Sequence, residues 1–385
     1  MTAVSERRDE FLRTIAQLTG EREAARKTVA SVRASFSEVW DWEIPADWRT
    51  AGFVQELTSI AYDTVESNPR ESLGFAQLAL AIATSIPTGT YPTLIHAQIE
   101  GAAWKEIGTA HRYMGEFDAA LRAYDAAQRA YGGANALAQD SAVIELARAV
   151  VLGELERYDE ALRLLGSIEP VLRDFEDHRH LVQVHQMMAN IYFYQGRYQD
   201  ARAQLETALS EVQFEDAYTR AAMTSTLGLT YEYLGRTAES FAMLHRARAM
   251  LVDLGMTGEV TRTDWSLALA VLNRGDFEKA IELLRAARAS FLSLSMAHDA
   301  GLAGLDLADA LIADGQLYGA RQLVQDVLHE FINKKLNHRA VTALSYLHDA
   351  LRTTPQPRSA VDHVRTYLKR LRYEPERIFL PPPEE

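Results

Sequence analysis

The sequence contains no cysteine, and only 11 of its 385 residues are proline. Without cysteine the chain can form neither disulfides nor thiolate metal sites, which fits a reducing compartment. We expect the prolines to lie between helical patterns or near the carboxyl end and not to interrupt the helices that the rest of the sequence predicts. Apolar residues make up 48% of the chain, which is enough for a sizeable core.

Long apolar runs are also missing. The apolar stretch of residues 78–83 is far too short for a transmembrane helix, which needs about 20 residues. The amino terminus is charged where a signal peptide would need an apolar segment. The sequence therefore predicts a cytoplasmic protein without a membrane partner.

A basic surface is absent from most of the chain, whose net charge is −13. Neutralising the phosphates of a nucleic acid needs clustered lysine and arginine, so a nucleic-acid partner is not predicted. Residues 325–377 differ, with ten Lys/Arg against six Asp/Glu. We interpret this excess as a solvated helix face.

Catalytic motifs are missing too. We find no phosphate-cradling glycine loop, no metalloprotease histidine pair and no nucleophile elbow, which predicts a protein that is not an enzyme and needs no cofactor. One titratable cluster combines the imidazole and carboxylate groups that a metal ion prefers. Adjacent charges in a connecting loop are usually hydrated, so no metal is predicted there, and metal binding is kept as the alternative. The cluster consists of Asp174, Glu176, Asp177, His178 and His180.

The main positive signal is an internal repeat. Turn residues recur at spacings of 39 to 41 residues, at Gly115, Glu156, Gly196, Gly235, Gly275, Gly315 and Pro355. A small residue follows each of them by five positions, at Ala120, Ala161, Ala201, Ser240, Ala280, Ala320 and Ala360. Apolar residues recur at three- and four-residue spacing on both sides of each turn, which predicts pairs of amphipathic helices.

Both recurring positions have a physical reason. Glycine supplies the left-handed backbone that often ends a helix. The small residue lets the second helix approach its neighbour closely, and a large side chain there would overpack the crossing at a cost of about 1–3 kcal/mol.

The repeat resembles the tetratricopeptide family, whose motif combines large, small and aromatic residues over two helices. Three units carry it: one with Trp104, Ile107, Gly108, Ala120, Tyr124 and Ala127, one with Leu227, Gly228, Tyr231, Leu244 and Ala247, and one with Tyr192, Ala201, Leu205 and Ala208. The chain departs from the family in its period of about 40 residues rather than about 34. In addition, His111 replaces a tyrosine, the unit near Ala142 has a degenerate first helix, and Pro355 replaces a glycine.

The resemblance implies an all-α fold, a right-handed α-solenoid of antiparallel helix pairs. We expect about eight pairs over residues 53–371. Residues 1–52 are interpreted as a helical cap with a break at Gly20, and its Trp40, Trp42 and Trp48 are expected to pack on the first repeat rather than bind a partner. Residues 372–385 are expected to form an extended, proline-rich tail that either docks on the last helices or serves as a ligand.

In this family the first helix of each pair lines a concave groove, which implies a set of groove residues. Aromatic rings beside amides suit a bound peptide, because amides pair with backbone and rings bury apolar anchors. The alternative is that Phe193 and Tyr194 only fill long helices. The predicted groove includes Thr109, Gln183, Ser225 and Glu232, and the peptide-binding residues are predicted to be Lys105, Arg112, Tyr113, Gln186, Asn190, Phe193, Tyr194, Tyr233, Arg262 and Trp265.

The resemblance implies binding of other proteins. The leading hypothesis is a scaffold or adaptor that holds a protein or peptide segment in the groove. The alternative is a peptide- or ligand-responsive sensor that acts on a protein effector. The family's clamp for chaperone carboxyl termini is not matched, because Thr109 follows Lys105 and Ala147 stands where asparagine is needed. No oligomeric state is predicted.

Overall fold

The computed structural model describes residues 2–34, 44–132, 134–211, 216–334, 336–353, 355–371 and 377–382. Over these ranges the chain forms seventeen α-helices and two short 3₁₀ helices, Ala46–Trp48 and Asn135–Leu137, and no β-strand. Along most of these ranges, helices that are neighbours in the chain pack against each other. The predicted all-α class of helix pairs is confirmed.

The chain divides into two compact units, residues 1–180 and 181–385, with the boundary inside α8. The first unit contains α1 (Thr2–Ala34), α2 (Ala51–Thr64), α3 (Pro69–Ser85), α4 (Thr93–Tyr113), α5 (Phe117–Tyr131), α6 (Ala138–Glu154), α7 (Tyr158–Asp174) and the start of α8 (His178–Tyr194). The remainder of α8 belongs to the second unit. The expectation that the prolines lie outside the helices is wrong at Pro170, which lies inside α7.

The second unit continues with α9 (Tyr198–Glu211), α10 (Ala217–Tyr233), α11 (Thr237–Asp253), α12 (Thr257–Asn273), α13 (Phe277–Ser293), α14 (Ala297–Ala313), α15 (Leu317–Asn333), α16 (His338–Thr353) and α17 (Pro357–Leu371). From α2 onward the helices follow one another as pairs. We call the even-numbered first helices the A helices and the odd-numbered second helices the B helices.

The predicted helix break at Gly20 is wrong, because α1 runs through this residue. A glycine inside a helix costs only about 0.5–1 kcal/mol relative to alanine, and the helix formers that follow Gly20 offset this. Trp48 stacks on Phe53 of α2 with ring centroids 4.9 Å apart. Trp40 and Trp42 lie outside the described residues.

One carboxylate of α1 holds this helix on the first repeat. The amide nitrogen of Gly52, at the start of α2, donates to Glu21 Oε2 at 3.1 Å, and the Tyr91 hydroxyl donates to Glu21 Oε1 at 2.7 Å. Burial, the Glu21 hydrogen bond and the Glu21 charge together raise the pKa of Tyr91 to about 12, although the amide of Ala51 opposes the rise. A negative charge beside the first turn of α2 is also favourable for the helix dipole.

The turns inside the pairs adopt the left-handed backbone that the sequence predicts. The φ angles are 75° at Gly115, 74° at Gly196, 70° at Gly235, 82° at Gly275 and 79° at Gly315, and the non-glycine Glu156 has 57°. The next amide bonds five residues back, as in Arg236 N to Tyr231 O at 2.9 Å, which satisfies a carbonyl at the helix end.

The small positions sit where the two helices of a pair cross. Ala120, Ala161, Ala201, Ser240, Ala280 and Ala320 are fully buried. Facing them, Gly108 and Gly228 of the A helices make room for large B-helix side chains. A Cβ atom at Gly108 would lie 2.5 Å from the Tyr124 ring, and one at Gly228 would lie 2.8 Å from Leu244 Cγ.

The second unit ends differently from a regular stack, because the last B helix packs on an earlier A helix. Helix α17 contacts both α16 and α14. As a result α14 is covered on all sides, and every residue from Asp299 to Leu311 is buried. A helix that is apolar around most of its circumference needs such an environment.

The described part of the tail, residues 377–382, is not helical and docks on the last pair. Phe379 is 8% exposed, and its ring centroid lies 5.3 Å from that of Tyr346 and 5.0 Å from that of Tyr367. The Tyr367 hydroxyl donates to Arg377 O at 2.7 Å. The two alternatives predicted for the tail were docking on the last helices and serving as a ligand, and this segment is docked.

Candidate functional site

In the first unit, three predicted groove residues lie together on α4 and connect neighbouring A helices. The Arg112 guanidinium is 3.0 Å from Glu154 of α6 and 4.3 Å from the centroid of the Tyr113 ring. The Tyr113 hydroxyl donates to Glu66, which follows α2, at 3.2 Å. Burial lowers the pKa of Arg112, but Glu154 and the two nearby tyrosines outweigh it, so the pKa is raised and the charge is retained.

Lys105, the third of these residues, lies about two turns earlier on α4. Its Nζ is 2.8 Å from Glu106 and 6.0 Å from the centroid of the Tyr62 ring of α2. Arg179, at the start of α8, donates to the Tyr62 hydroxyl at 3.5 Å. Tyr62 is 53% exposed and was not among the predicted residues. The A-helix register does not point to it, because Tyr62 stands ten residues before Ser72 of α3, the position that Ala110 has before Ala120.

In the second unit, four rings form what we call the aromatic cluster, namely Phe193, Tyr194, Tyr198 and Tyr233. The Phe193 ring meets Tyr233 edge-on at 5.0 Å, Tyr198 at 5.3 Å and Tyr194 at 6.3 Å, and Tyr198 stacks on Tyr233 at 4.8 Å. Tyr194 is 65% exposed and Tyr233 is 51% exposed. The sequence prediction omitted Tyr198 because it begins a B helix.

The surroundings of Tyr233 keep its phenol uncharged and able to donate a hydrogen bond. Burial raises the pKa of Tyr233, and Tyr198, Asp306 and Asp362 add to the rise while Arg365 opposes it. The phenol is therefore protonated at neutral pH. Gln186 and Asn190 lie partly buried on α8, two turns and one turn before Phe193, and place amide groups on the same helix.

Two predicted groove residues of α12 make their polar contacts with other residues of the chain. Arg262 forms ion pairs with Glu259 and with Asp299 of α14, the latter at 3.2 Å. The Trp265 indole nitrogen donates to Asp306 of α14 at 2.9 Å, and its ring meets that of Phe291 edge-on at 5.8 Å. Both residues therefore join α12 to α14.

Helix α17 covers the A-helix face of α14. Arg365 is 2.6 Å from Asp306, and Arg358 donates to both oxygens of Asp309 at 2.7 and 2.9 Å. Asp309 occupies the same position in its repeat as Asn190 does on α8. At this repeat, helix α17 therefore covers a position that was predicted to face the groove. Among the described residues of the second unit, the A-helix face that α17 does not cover is thus the part formed by α8, α10 and α12.

The titratable cluster before α8 forms a local hydrogen-bond network. Asp177 Oδ2 accepts from Gln139 Nε2 at 2.6 Å and lies 2.7 Å from His180 Nδ1, and its Oδ1 accepts from the His180 amide at 3.2 Å. Across the described ranges no group of three or more His, Cys, Asp or Glu side chains is arranged to hold a metal ion. A helix with the length and apolarity to cross a bilayer is likewise absent from those ranges.

Comparison with known families identifies the repeat. A family model described as tetratricopeptide repeat matches residues 140–210, which span α6 to α9. No curated protein matches the chain by sequence.

Solved structures share the fold at low identity. The apo form of RapI has 13% identity and a TM-score of 0.56, covering 73% of this chain and 98% of that one. The apo form of the quorum sensor NprR from B. thuringiensis has 12% identity and a TM-score of 0.50, covering 91% and 99%. A signal transduction ATPase with a tetratricopeptide repeat sensor from Pyrococcus horikoshii has 14% identity and a TM-score of 0.56, covering 92% of this chain and 53% of that one.

Proposed function

Residues 140–210 are tetratricopeptide repeats, and from this premise we propose that the chain is a non-catalytic binding protein. It holds a protein or peptide segment on the face formed by α8, α10 and α12. The aromatic cluster is the observation that carries this proposal, because Tyr194 and Tyr233 leave 65% and 51% of their surface exposed. Tyrosine is among the residues most enriched at the energetic centres of protein interfaces.

The chemistry of this face suits a peptide better than a small molecule. Rings offer apolar surface whose burial stabilises a complex by about 25 cal/mol per Å². The hydroxyls of Tyr194 and Tyr233 and the amides of Gln186 and Asn190 supply hydrogen-bonding groups for a peptide backbone. The segment bound in the second unit is short, because α17 covers the corresponding face of α14.

Two roles are compatible with such a face. In the first, the protein is a scaffold or adaptor that brings a bound partner to another protein. In the second, it is a sensor that responds to a peptide or ligand and acts on a protein effector. The second role is supported by two proteins with the same fold, one a quorum sensor and the other carrying a repeat sensor. The net charge of −13 favours a protein effector over a nucleic acid.

The test is affinity capture with the full chain and with the double variant Tyr194→Ala/Tyr233→Ala. We expect the double variant to lose at least one partner while its helicity, measured by circular dichroism, stays unchanged. The matched control is Tyr318→Ala, which removes a tyrosine that is 72% exposed at the start of the B helix α15. If all three proteins capture the same partners, the proposed binding face is wrong.

The sensor role has its own measurement. A ligand that a sensor detects must shift it between conformations, so its dimensions in solution should change on binding. Small-angle scattering with and without a partner obtained by capture tests this. Unchanged scattering in the saturated complex favours the scaffold.

A further inference from the structure

The carboxylate of Glu232 lies on α10, directly before Tyr233 in the sequence. Its Oε1 accepts one long hydrogen bond, 3.4 Å from Asn273 Nδ2. Its Oε2 is buried and finds no hydrogen-bond partner in the part of the chain that the structure describes. Within the described ranges no lysine, arginine or histidine lies at salt-bridge distance from Glu232.

Three aspartates on the A helix α14 of the second unit are neutralised by arginines of the chain. Asp299 pairs with Arg262, Asp306 with Arg365, and Asp309 with Arg358. A buried acceptor left without a donor costs about 1–3 kcal/mol, and more when it is charged. Glu232 thus differs from these three aspartates, for each of which the chain supplies a cation, and on α10 it directly precedes Tyr233 of the aromatic cluster.

The neighbouring rings favour the same kind of ligand. Tyr198 and Tyr233 stack at 4.8 Å, and Phe193 meets both edge-on. The faces of such rings attract cations, and the attraction grows when the cation also leaves water. The net charge of −13 adds a long-range attraction for positively charged ligands.

We infer that Glu232 and the aromatic cluster form a subsite for one positively charged side chain, a lysine or arginine, of the bound peptide. The ammonium or guanidinium group donates to the carboxylate of Glu232, whose side chain turns to meet it. The aliphatic stem of the same residue lies along the rings, as long basic side chains do on apolar surfaces. This inference rests on the proposed function, since it names the chemistry of the segment that the face binds.

The experiment uses arrays of N-acetylated hexapeptides in which one central position is lysine, arginine, glutamine or glutamate and the others are varied. Acetylation removes the terminal amine, so the central side chain supplies the varied charge, and a second array with free amino termini tests the amine as the alternative source. The probes are the full chain, Glu232→Gln and Tyr194→Ala/Tyr233→Ala. The control Glu278→Gln makes the same change on an exposed position of the B helix α13.

We expect the unmodified chain to prefer lysine or arginine over glutamine by about tenfold or more, the scale of one charge-assisted contact. Glu232→Gln should reduce this preference to within about twofold, whereas Glu278→Gln should keep it. Glu232→Gln should not lower the melting temperature of the free protein, because it removes a buried charge that has no cation partner. A lowered melting temperature would instead indicate a structural role.

The outcomes separate the two proposals. If the double tyrosine variant binds the peptides as the full chain does, or if no peptide binds, the proposed binding face fails and the subsite with it. If the double variant loses binding but Glu232→Gln keeps the preference for lysine and arginine, only the subsite fails. A preference that appears only in the array with free amino termini assigns the cation to the peptide's amine and also overturns the inference.

Discussion

Asp306 of α14 and Arg365 of α17 form an ion pair of 2.6 Å between positions 59 residues apart. The Asp306 side chain is only 2% exposed, and its other oxygen accepts the indole N–H of Trp265 at 2.9 Å. A pair in these surroundings keeps both charges satisfied, and the loss of either leaves the other buried without compensation. This contact fixes the last helix over α14.

Arg365→Met should therefore destabilise the second unit by about 3–5 kcal/mol, because it leaves the Asp306 carboxylate with only Trp265 as a donor. Asp306→Asn should cost less, since Arg365 keeps its ion pair with Asp362. The double variant should recover part of the loss of Arg365→Met. Urea denaturation of the three variants measures this.

The control for this series is Arg352→Met, an exposed residue at the end of α16. It should change the free energy of unfolding by no more than about 0.5 kcal/mol. Equal losses for Arg352→Met and Arg365→Met would show that the ion pair does not hold α17 in place.

The fold was largely predictable because its determinants are local and repeated. A turn residue with left-handed backbone ends the first helix of a pair. The small residue five positions later allows the two helices of that pair to cross closely. The closure by α17 was not predictable in this way. Trp265 fits the groove register, yet it donates to Asp306, and no short-range pattern links either residue to Arg365.

The candidate site likewise contains residues that the sequence could predict and residues that it could not. Tyr194 and Tyr233 end the A helices α8 and α10, so the register identifies both. Tyr198 begins a B helix and joins the cluster only through the three-dimensional packing of α8, α9 and α10. Gly20 shows the opposite error, since a breaker residue alone does not end a helix whose neighbours favour it.

Two equivalent turns between pairs allow a matched test of backbone strain. Gly255 and Ser295 occupy the same register and have φ angles of 68° and 59°. A side chain in this left-handed region costs roughly 1–2 kcal/mol, and glycine avoids it at the expense of some chain entropy. Ser295→Gly should therefore stabilise the second unit by about 0.5–1 kcal/mol.

Gly255→Ser is the reciprocal change and should destabilise the second unit by a similar amount. No heavy atom lies within 4 Å of a Cβ built at Gly255, so the expected loss comes from the backbone and not from a clash. Thermal denaturation of both variants gives the answer. Changes of the same sign in the two variants would rule out the backbone explanation.

The hydrogen bonds of Asp177 predict a pH dependence of stability. Burial alone would raise its pKa, but the donors Gln139 and His180 outweigh burial and lower the pKa below the ordinary value of 3.8. The unfolded state therefore binds more protons than the folded state in the interval between the two pKa values. Stability contributed by this residue is present above pH 3.8 and is lost as pH falls through the lower, folded pKa.

Asp177→Asn removes the charge, so it should destabilise the protein by about 1 kcal/mol near pH 5, the scale of one helix cap. The difference from the unmodified protein should shrink as the pH falls below 3.8, because the aspartate then becomes protonated. The measurement is urea denaturation at intervals from about pH 5 to about pH 2.5, which covers the ordinary pKa of 3.8 and the range below it. Asp174→Asn, an exposed neighbour at the end of α7, serves as the control and should follow the unmodified protein. Curves for Asp177→Asn that run parallel to the unmodified protein over the whole interval would show that these hydrogen bonds do not stabilise the charged form.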